Sequence, residues 1–268
     1  MNGTYKLISP YQLDFYIPSL KLAIEFNGLY WHSELAGRDR NYHKNKFKKC
    51  DEQGITLLQV FEQDLLFKEN IVKARILNAM QKNPNRLFAR KLKVIIVNNQ
   101  VAKKFFDENH LQSGINSKFN YGLVDNEDQL YAVMGFSKTR FSKNYEYEIT
   151  RFSVKNGYSI PGAASKLFSS FVKEHSPLSV VSYADLNWGK GGVYLKLGFE
   201  FSHYTNPNYW YFRNLSEIYS RVKFQKHKLP KELHHLGSEW DIMKHLKWNR
   251  YWDSGNAVYV WKNDYFLS

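Results

Sequence analysis

Residues 11–34 constrain the fold most. The runs YQLDFYIP and LKLAIEFNG each alternate in polarity, and a short segment holding Pro18 and Ser19 separates them. Alternation is the period of a strand that buries one face, so the pair predicts a β-hairpin. With a four-residue loop over 18–21, residues whose numbers add up to 39 face one another, which sets Asp14 opposite Glu25. Such neighbours have Cβ atoms about 4.5–5.5 Å apart, where like charges repel. A divalent cation between the two carboxylates would relieve that repulsion; a solvated polar face on an edge hairpin accounts for the same pattern. Ala23, Glu25 and Asn27 share the face of Asp14, and Leu22, Ile24 and Phe26 are expected to point into the core.

After the hairpin, residues 39–53 read as a basic helix closed by Gly54, ITLLQVFE as a buried strand and LFKENIVKARILNAMQK as a helix, giving a ββαβα unit that NPNR ends near residue 85. A second unit begins with the strand KLKVIIV and a helix around VAKKFFDENH. It continues through a meander (FNYGLVD, LYAVMGFSK, YEYEITRFSV), a helix opened by Pro161-Gly162-Ala163-Ala164, the strand LSVVSYAD, the short segment VYLKLGF and the strand YWYF. The stretch 214–268 is rich in Lys, His and Trp and ends on the strand NAVYVWK. The expected organisation is thus α/β throughout, in three consecutive parts at 1–85, 86–213 and 214–268.

The formal net charge of +13 over 268 residues is spread across all three parts, which points to a polyanionic partner gripped along the whole molecule or to an evenly solvated basic surface. Cys50 is the only cysteine, so neither a disulfide framework nor a thiolate zinc cluster is available. No run approaches the roughly 18 apolar residues of a membrane span, and the first residues lack a signal-peptide core, so the expected location is the cytoplasm, with no membrane partner.

Beyond the carboxylate pair, His32 follows the second strand of the hairpin, and His43 and Lys46 lie about one turn apart on the next helix. Asp14, Glu25, His32, His43 and Lys46 together make a candidate phosphodiesterase centre: a metal on Asp14 and Glu25 to polarise phosphate, a histidine to activate water, and a cation to stabilise developing charge. Candidate DNA contacts are Asn27, Trp31, Lys44, Lys48 and Lys49 around this centre. In the tail they are Arg221, Lys223, Lys226, Lys228 and Arg250, where cations interleave with Trp240, Trp248 and Trp252. A small Trp-rich core covering the second part explains the tryptophans equally well.

LDFYIPSLKLAIEFNGLYWHSE followed by YHKNKFKKCDEQGITLLQVFE resembles the very-short-patch repair endonucleases and the EDxHD homing endonucleases of phages, within the PD-(D/E)xK nuclease fold. The resemblance implies a metal-binding Asp14 and a base at His32, with His43 where repair members carry an aspartate. Asn27 stands at the position of the family lysine, and the family's upstream glutamate has no counterpart among the 13 residues before Asp14. Residues 90–213 resemble the GNAT acetyltransferases. That resemblance makes Gly162, Ala164 and Lys166 a possible acyl-donor loop and Tyr194 a general acid. Here Pro161 lacks an amide proton, Ser159 stands where Arg or Gln is usual, and the bulk of YEITRFSV and LSVVSYAD is expected to close the gap for an acyl donor.

Phage proteins that join the two kinds of domain resemble nearly the whole chain. The leading expectation is therefore a Mg²⁺-dependent (or other divalent-metal) homing endonuclease acting on double-stranded DNA in a bacterial host cell, without acetyl-CoA binding. The alternatives are a GNAT-type acyltransferase or nucleic-acid-modifying transferase, and a catalytically inactive DNA-binding protein.

Overall fold

The hairpin forms in the register that its numbering dictates. In the computed structural model, which describes residues 6–140 and 144–263, β1 (Phe15–Ile17) pairs antiparallel with β2 (Leu22–Asn27), Phe15 opposite Ile24 and Ile17 opposite Leu22. A 3₁₀ turn over Pro18–Leu20 joins them, closed by Lys21 at φ 45°, whose N–H donates to the Pro18 carbonyl at 3.1 Å. Helix α1 (Tyr42–Glu52) then crosses to β3 (Thr56–Phe61), which lies parallel to β2 on its other side. Gly54, at φ +67°, makes the turn between them in a region that favours glycine.

As the central strand of three, β2 is covered more fully than an edge hairpin would be. His43, Lys46, Phe47 and Cys50 are the buried residues of α1, and Ala23, Glu25 and Asn27 are buried too. The face expected to be polar and open is thus closed. Phe26, expected in the core, is instead 41% exposed and packs edge-on against Phe15.

Helix α2 (Glu62–Ala79) departs from helical geometry at Lys68 (φ −139°, ψ 37°). Beyond it, β4 (Asn85–Arg86) leads to β5 (Lys93–Ile96) and α3 (Asn99–Asn109), whose first turn is capped by the Asn98 side chain accepting from the Val101 N–H. The meander follows as β6 (Phe119–Val124), β7 (Leu130–Lys138) and β8 (Tyr147–Val154), with β5 antiparallel to β6. After β9 (Tyr158–Ser159), which pairs with β4, come α4 (Ala163–His175), β10 (Ser179–Asp185), α5 (Gly192–Lys196) and β11 (Glu200–Tyr204).

The chain then leaves this sheet. The aromatic run YWYF, expected as its last strand, is β12 (Tyr209–Phe212), the centre of a separate sheet between β13 (Ile218–Ser220) and β14 (Asn249–Trp252). With α6 (Glu239–His245), entered through a Ser238–Asp241 capping box, these strands enclose Tyr211, Leu229, Ile242, Met243 and Trp248. The chain returns as β15 (Asn256–Lys262), inserted between β11 and β10. The large sheet therefore has the order β11-β15-β10-β8-β7-β6-β5.

The resulting units interleave in sequence. One comprises Met1–Leu66, Asp185–Gly189 and Thr205–Asn256, and the other Phe67–Ala184, Lys190–Tyr204 and Ala257–Ser268. Boundaries at 85 and 213 would cut through both, because β15 completes the large sheet while the aromatic residues before it build a core in the first unit.

In the large sheet Gly135 of β7 is fixed by its surroundings. A Cβ there would meet Ser117 Oγ at 2.6 Å, Thr150 Oγ1 at 2.7 Å and Asn120 Oδ1 at 2.9 Å. Ser117 and Thr150 are already hydrogen-bonded to each other, so little room can be made. Gly135→Ala is expected to destabilise the protein by roughly 1–3 kcal/mol, as overpacking does, measured as an earlier urea midpoint with unchanged slope.

Candidate functional site

The first unit gathers the expected nuclease residues around a buried ion pair. Glu25 and Lys46 meet at direct contact with side chains 5% and 2% exposed. Burial raises the Glu25 pKa, and the adjacent Lys46 charge opposes that rise. The second Glu25 oxygen accepts the Asp14 N–H at 3.5 Å, and Asp14 Oδ2 accepts the Phe26 N–H at 2.9 Å. His32 Nδ1 and His43 Nε2 are 3.2 Å apart, with the rings stacked at 5.4 Å. Burial and the Lys46 charge push His32 down to about 4; burial and the neighbouring His32 push His43 down to about 3. Both imidazoles are neutral at pH 7.

This arrangement does not fit a metal held by Asp14 and Glu25. The charge that offsets Glu25 is the Lys46 ammonium, and among the described residues no group of three or more His, Cys, Asp or Glu is placed to hold an ion. The sequence named Lys46 as a cation for substrate; the fold uses it as the counter-ion of Glu25.

The expected DNA contacts divide by burial. Asn27 is 1% exposed and faces the interior, so it offers no surface contact. Trp31 is 70% exposed, and Lys48 and Lys49 are exposed on α1. Lys44 donates to the Thr205 carbonyl at 2.7 Å. In the tail, Lys226 and Lys228 bond the carbonyls of Gly237 and Val222. Lys223 lies 3.2 Å over the Tyr219 ring and Arg221 5.4 Å over Tyr209, and Arg250 bonds Glu34 at 2.6 Å. These cations brace the aromatic core of their own unit.

The second unit holds a different site. Strands β8 and β10 run parallel and register over only two pairs, Val180 with Tyr147 and Val181 with Glu148, although β8 continues to Val154 and β10 to Asp185. The strands part where the bulk of their side chains was expected to close them. Just past the parting, β8 carries a bulge: Phe136 pairs with Ile149 and Gly135 with Arg151, leaving Thr150 unpaired in the ladder. Ser182, on the parted end of β10, is buried. The Tyr194 phenol of α5 lies near Ser182 and is pushed up by burial, with Arg75 and Arg151 near enough to oppose that rise. Arg151 also donates to the Ser113 carbonyl at 3.2 Å, and Lys68 to the His110 carbonyl at 3.3 Å. Sequence reasoning found Tyr194 but missed Ser182, Arg151 and Arg75. Ser182, the hydroxyl inside the apolar run LSVV-YA, carried a visible signal; the arginines carried none.

Gly162 begins α4 at φ +84°, and helix geometry leaves the first-turn amides of Ala164 and Ser165 without intrahelical acceptors. Lys166, expected to meet phosphate, is tied to the carbonyls of Ala89 and Leu92. The Ala89 side chain would lie 3.5 Å from a Cβ at Gly162, and Arg90 and Arg86 in the same segment are exposed.

No protein-family model and no curated protein matches the chain. Among solved structures it is similar to the GNAT-family N-acetyltransferase YhbS of Escherichia coli in complex with CoA (15% identity over 41% of this chain and 69% of that one, TM-score 0.33). It is also similar to a protein from Acinetobacter baylyi ADP1 named as an acetyltransferase (13%, 65% and 93%, 0.39). A third is the histone acetyltransferase HPA2 and related acetyltransferase of Corynebacterium glutamicum ATCC 13032 (14%, 32% and 55%, 0.28), of which the alignment spans about half the length. None of the three is a nuclease. The expectation of a Mg²⁺-dependent homing endonuclease is corrected, together with the expected exclusion of acetyl-CoA: these structures are described as acetyltransferases, one of them in complex with CoA. Lys46 pairs with Glu25, whereas β8 and β10 register over only two pairs. No helix among the described residues is long and apolar enough to cross a membrane.

Removing Lys46 leaves a buried carboxylate unpaired. Lys46→Met should cost about 3–5 kcal/mol of stability, and adding Glu25→Gln to the same chain should restore part of it in a urea titration.

Two groups give the first unit opposite pH responses. The histidines bind protons near 6.5 when unfolded but only near 4 and 3 when folded, so their contribution is complete above 6.5 and lost as pH falls through that window. Asp253 behaves inversely: burial and the nearby Asp185 raise it from 3.8 to about 7, so stability falls as pH rises between those values. Asp253→Asn keeps an oxygen to accept the Asn208 and Gly255 N–H groups. It should raise the unfolding midpoint at pH 8 and leave it nearly unchanged at pH 4.

Proposed function

We propose that the second unit transfers an acyl group from acyl-CoA to a small acceptor. The observation that carries this reading is the parting of β8 and β10 after two registered pairs, beside the Thr150 bulge and Tyr194. Two parallel strands that separate expose backbone N–H and C=O groups inside a sheet, and such groups need a partner. An extended amide-bearing pantetheine arm supplies one, and the first turn of α4 offers amides to its pyrophosphate.

In this reading acyl-CoA brings an activated thioester carbonyl. The Thr150 N–H, out of the ladder at the bulge, orients that carbonyl and stabilises the charge that develops on its oxygen. The acceptor's nucleophilic atom bonds to the carbonyl carbon as the C–S bond breaks, the acceptor's proton passes to solvent, and the departing sulfur takes the proton of Tyr194. Burial suits Tyr194 to donating that proton, since its raised pKa keeps the hydroxyl protonated through neutral and mildly alkaline pH.

Calorimetry with acetyl-CoA should give micromolar binding that Ser182→Trp abolishes by filling the gap. Tyr194→Phe should leave that binding unchanged and slow the release of CoA thiol to a panel of amines by about 100-fold, the lower range for a general acid. Absence of binding by the wild-type chain at millimolar ligand refutes the reading.

A further inference from the structure

The first unit carries a groove of about 500 Å³ that the transferase reading does not use. Trp240 and Trp248 wall it, Leu35 forms part of its lining, and Lys244 and Lys247 complete it. Leu35 is 68% exposed. The volume falls within the roughly 300–1,000 Å³ of small-ligand sites.

We propose that this groove binds an unpaired nucleotide of a single-stranded nucleic acid, the base against Trp240 and Leu35 and the flanking phosphates on Lys244 and Lys247. Three observations select this occupant. The walls are aromatic and apolar, which suits a planar ring and gives no hydrogen-bond code, as in sequence-tolerant stacking sites. The cations lie in the lining itself, within a chain of net charge +13. Glu34, the one acid of the lining, has its carboxylate engaged by Arg250 Nε at 2.6 Å and Trp252 Nε1 at 2.7 Å, so its repulsion of phosphate is offset.

Arg250 also stacks 4.2 Å over the Trp240 ring, and Arg213 4.5 Å over Trp248. Each indole is therefore braced by a guanidinium group over its ring, which lowers the ordering cost of stacking. A duplex does not fit the same groove, since its bases are stacked on one another and present no free face.

Fluorescence anisotropy of the full chain with a fluorescein-labelled 12-mer of thymidylate tests this, against a labelled hairpin duplex and a labelled polyglutamate peptide. The single strand should bind tightest. Leu35→Asp, at an exposed position that spares the core, should weaken it about ten-fold or more, and so should Trp240→Ala, while Trp240→Phe keeps most of the affinity. Lys244→Ala combined with Lys247→Asn should lower the slope of log affinity on log salt by about 1.4, two phosphate contacts on a single strand. The proposal is overturned if the oligonucleotide does not bind or if Leu35→Asp leaves its affinity unchanged. Equal or tighter binding of the duplex or of polyglutamate overturns it too.

Discussion

A single strand insertion governs the organisation of this chain. β10 lies inside the large sheet, with β8 on one side, and β15 fills the other side, from almost the end of the described chain. Buried strands cannot leave a row of N–H and C=O groups unpaired, so β15 must return after everything between Thr205 and Asn256 has been built elsewhere. The excursion is long enough to form its own sheet and core around Tyr211 and Trp248. The interleaved units follow from that one pairing.

The two units handle polar groups in opposite ways. In the first, charges are brought inside and matched: Lys46 with Glu25, Arg250 with Glu34, and neutral His32 with neutral His43. Such pairs specify a geometry more than they stabilise it, because desolvation consumes most of the Coulomb attraction. In the second unit, the sheet is left open where β8 and β10 diverge, and Thr150 drops out of the ladder. A bulged, briefly registered parallel pair suits the proposed acyl transfer, whereas a matched ion pair fixes the register of a fold.

Burial sets the electrostatics in both units. The histidines and Asp253 titrate in opposite directions because burial penalises the charged form in both cases, and that form is the protonated one for imidazole and the deprotonated one for carboxyl. Tyr194 belongs with Asp253 in this respect, held in its neutral, proton-bearing state by its surroundings.

The sequence by itself determined the local elements. Alternation set the hairpin and its register, Gly54 and Gly162 marked a helix end and a helix start, and the order from β5 to α5 was legible because each element carries its own period and its own punctuation. Tertiary structure decided what those elements face. Phe26 is exposed and Asn27 buried because α1 covers the polar face of β2, and a period of two says which residues share a face but not which face is covered. Lys46 became a counter-ion, and YWYF left the large sheet, because partners distant in sequence were available, Glu25 for the one and the 249–252 strand for the other. How far β8 and β10 stay paired was likewise settled in three dimensions: strands of equal bulk can lie together or part, and only the register between them distinguishes the two.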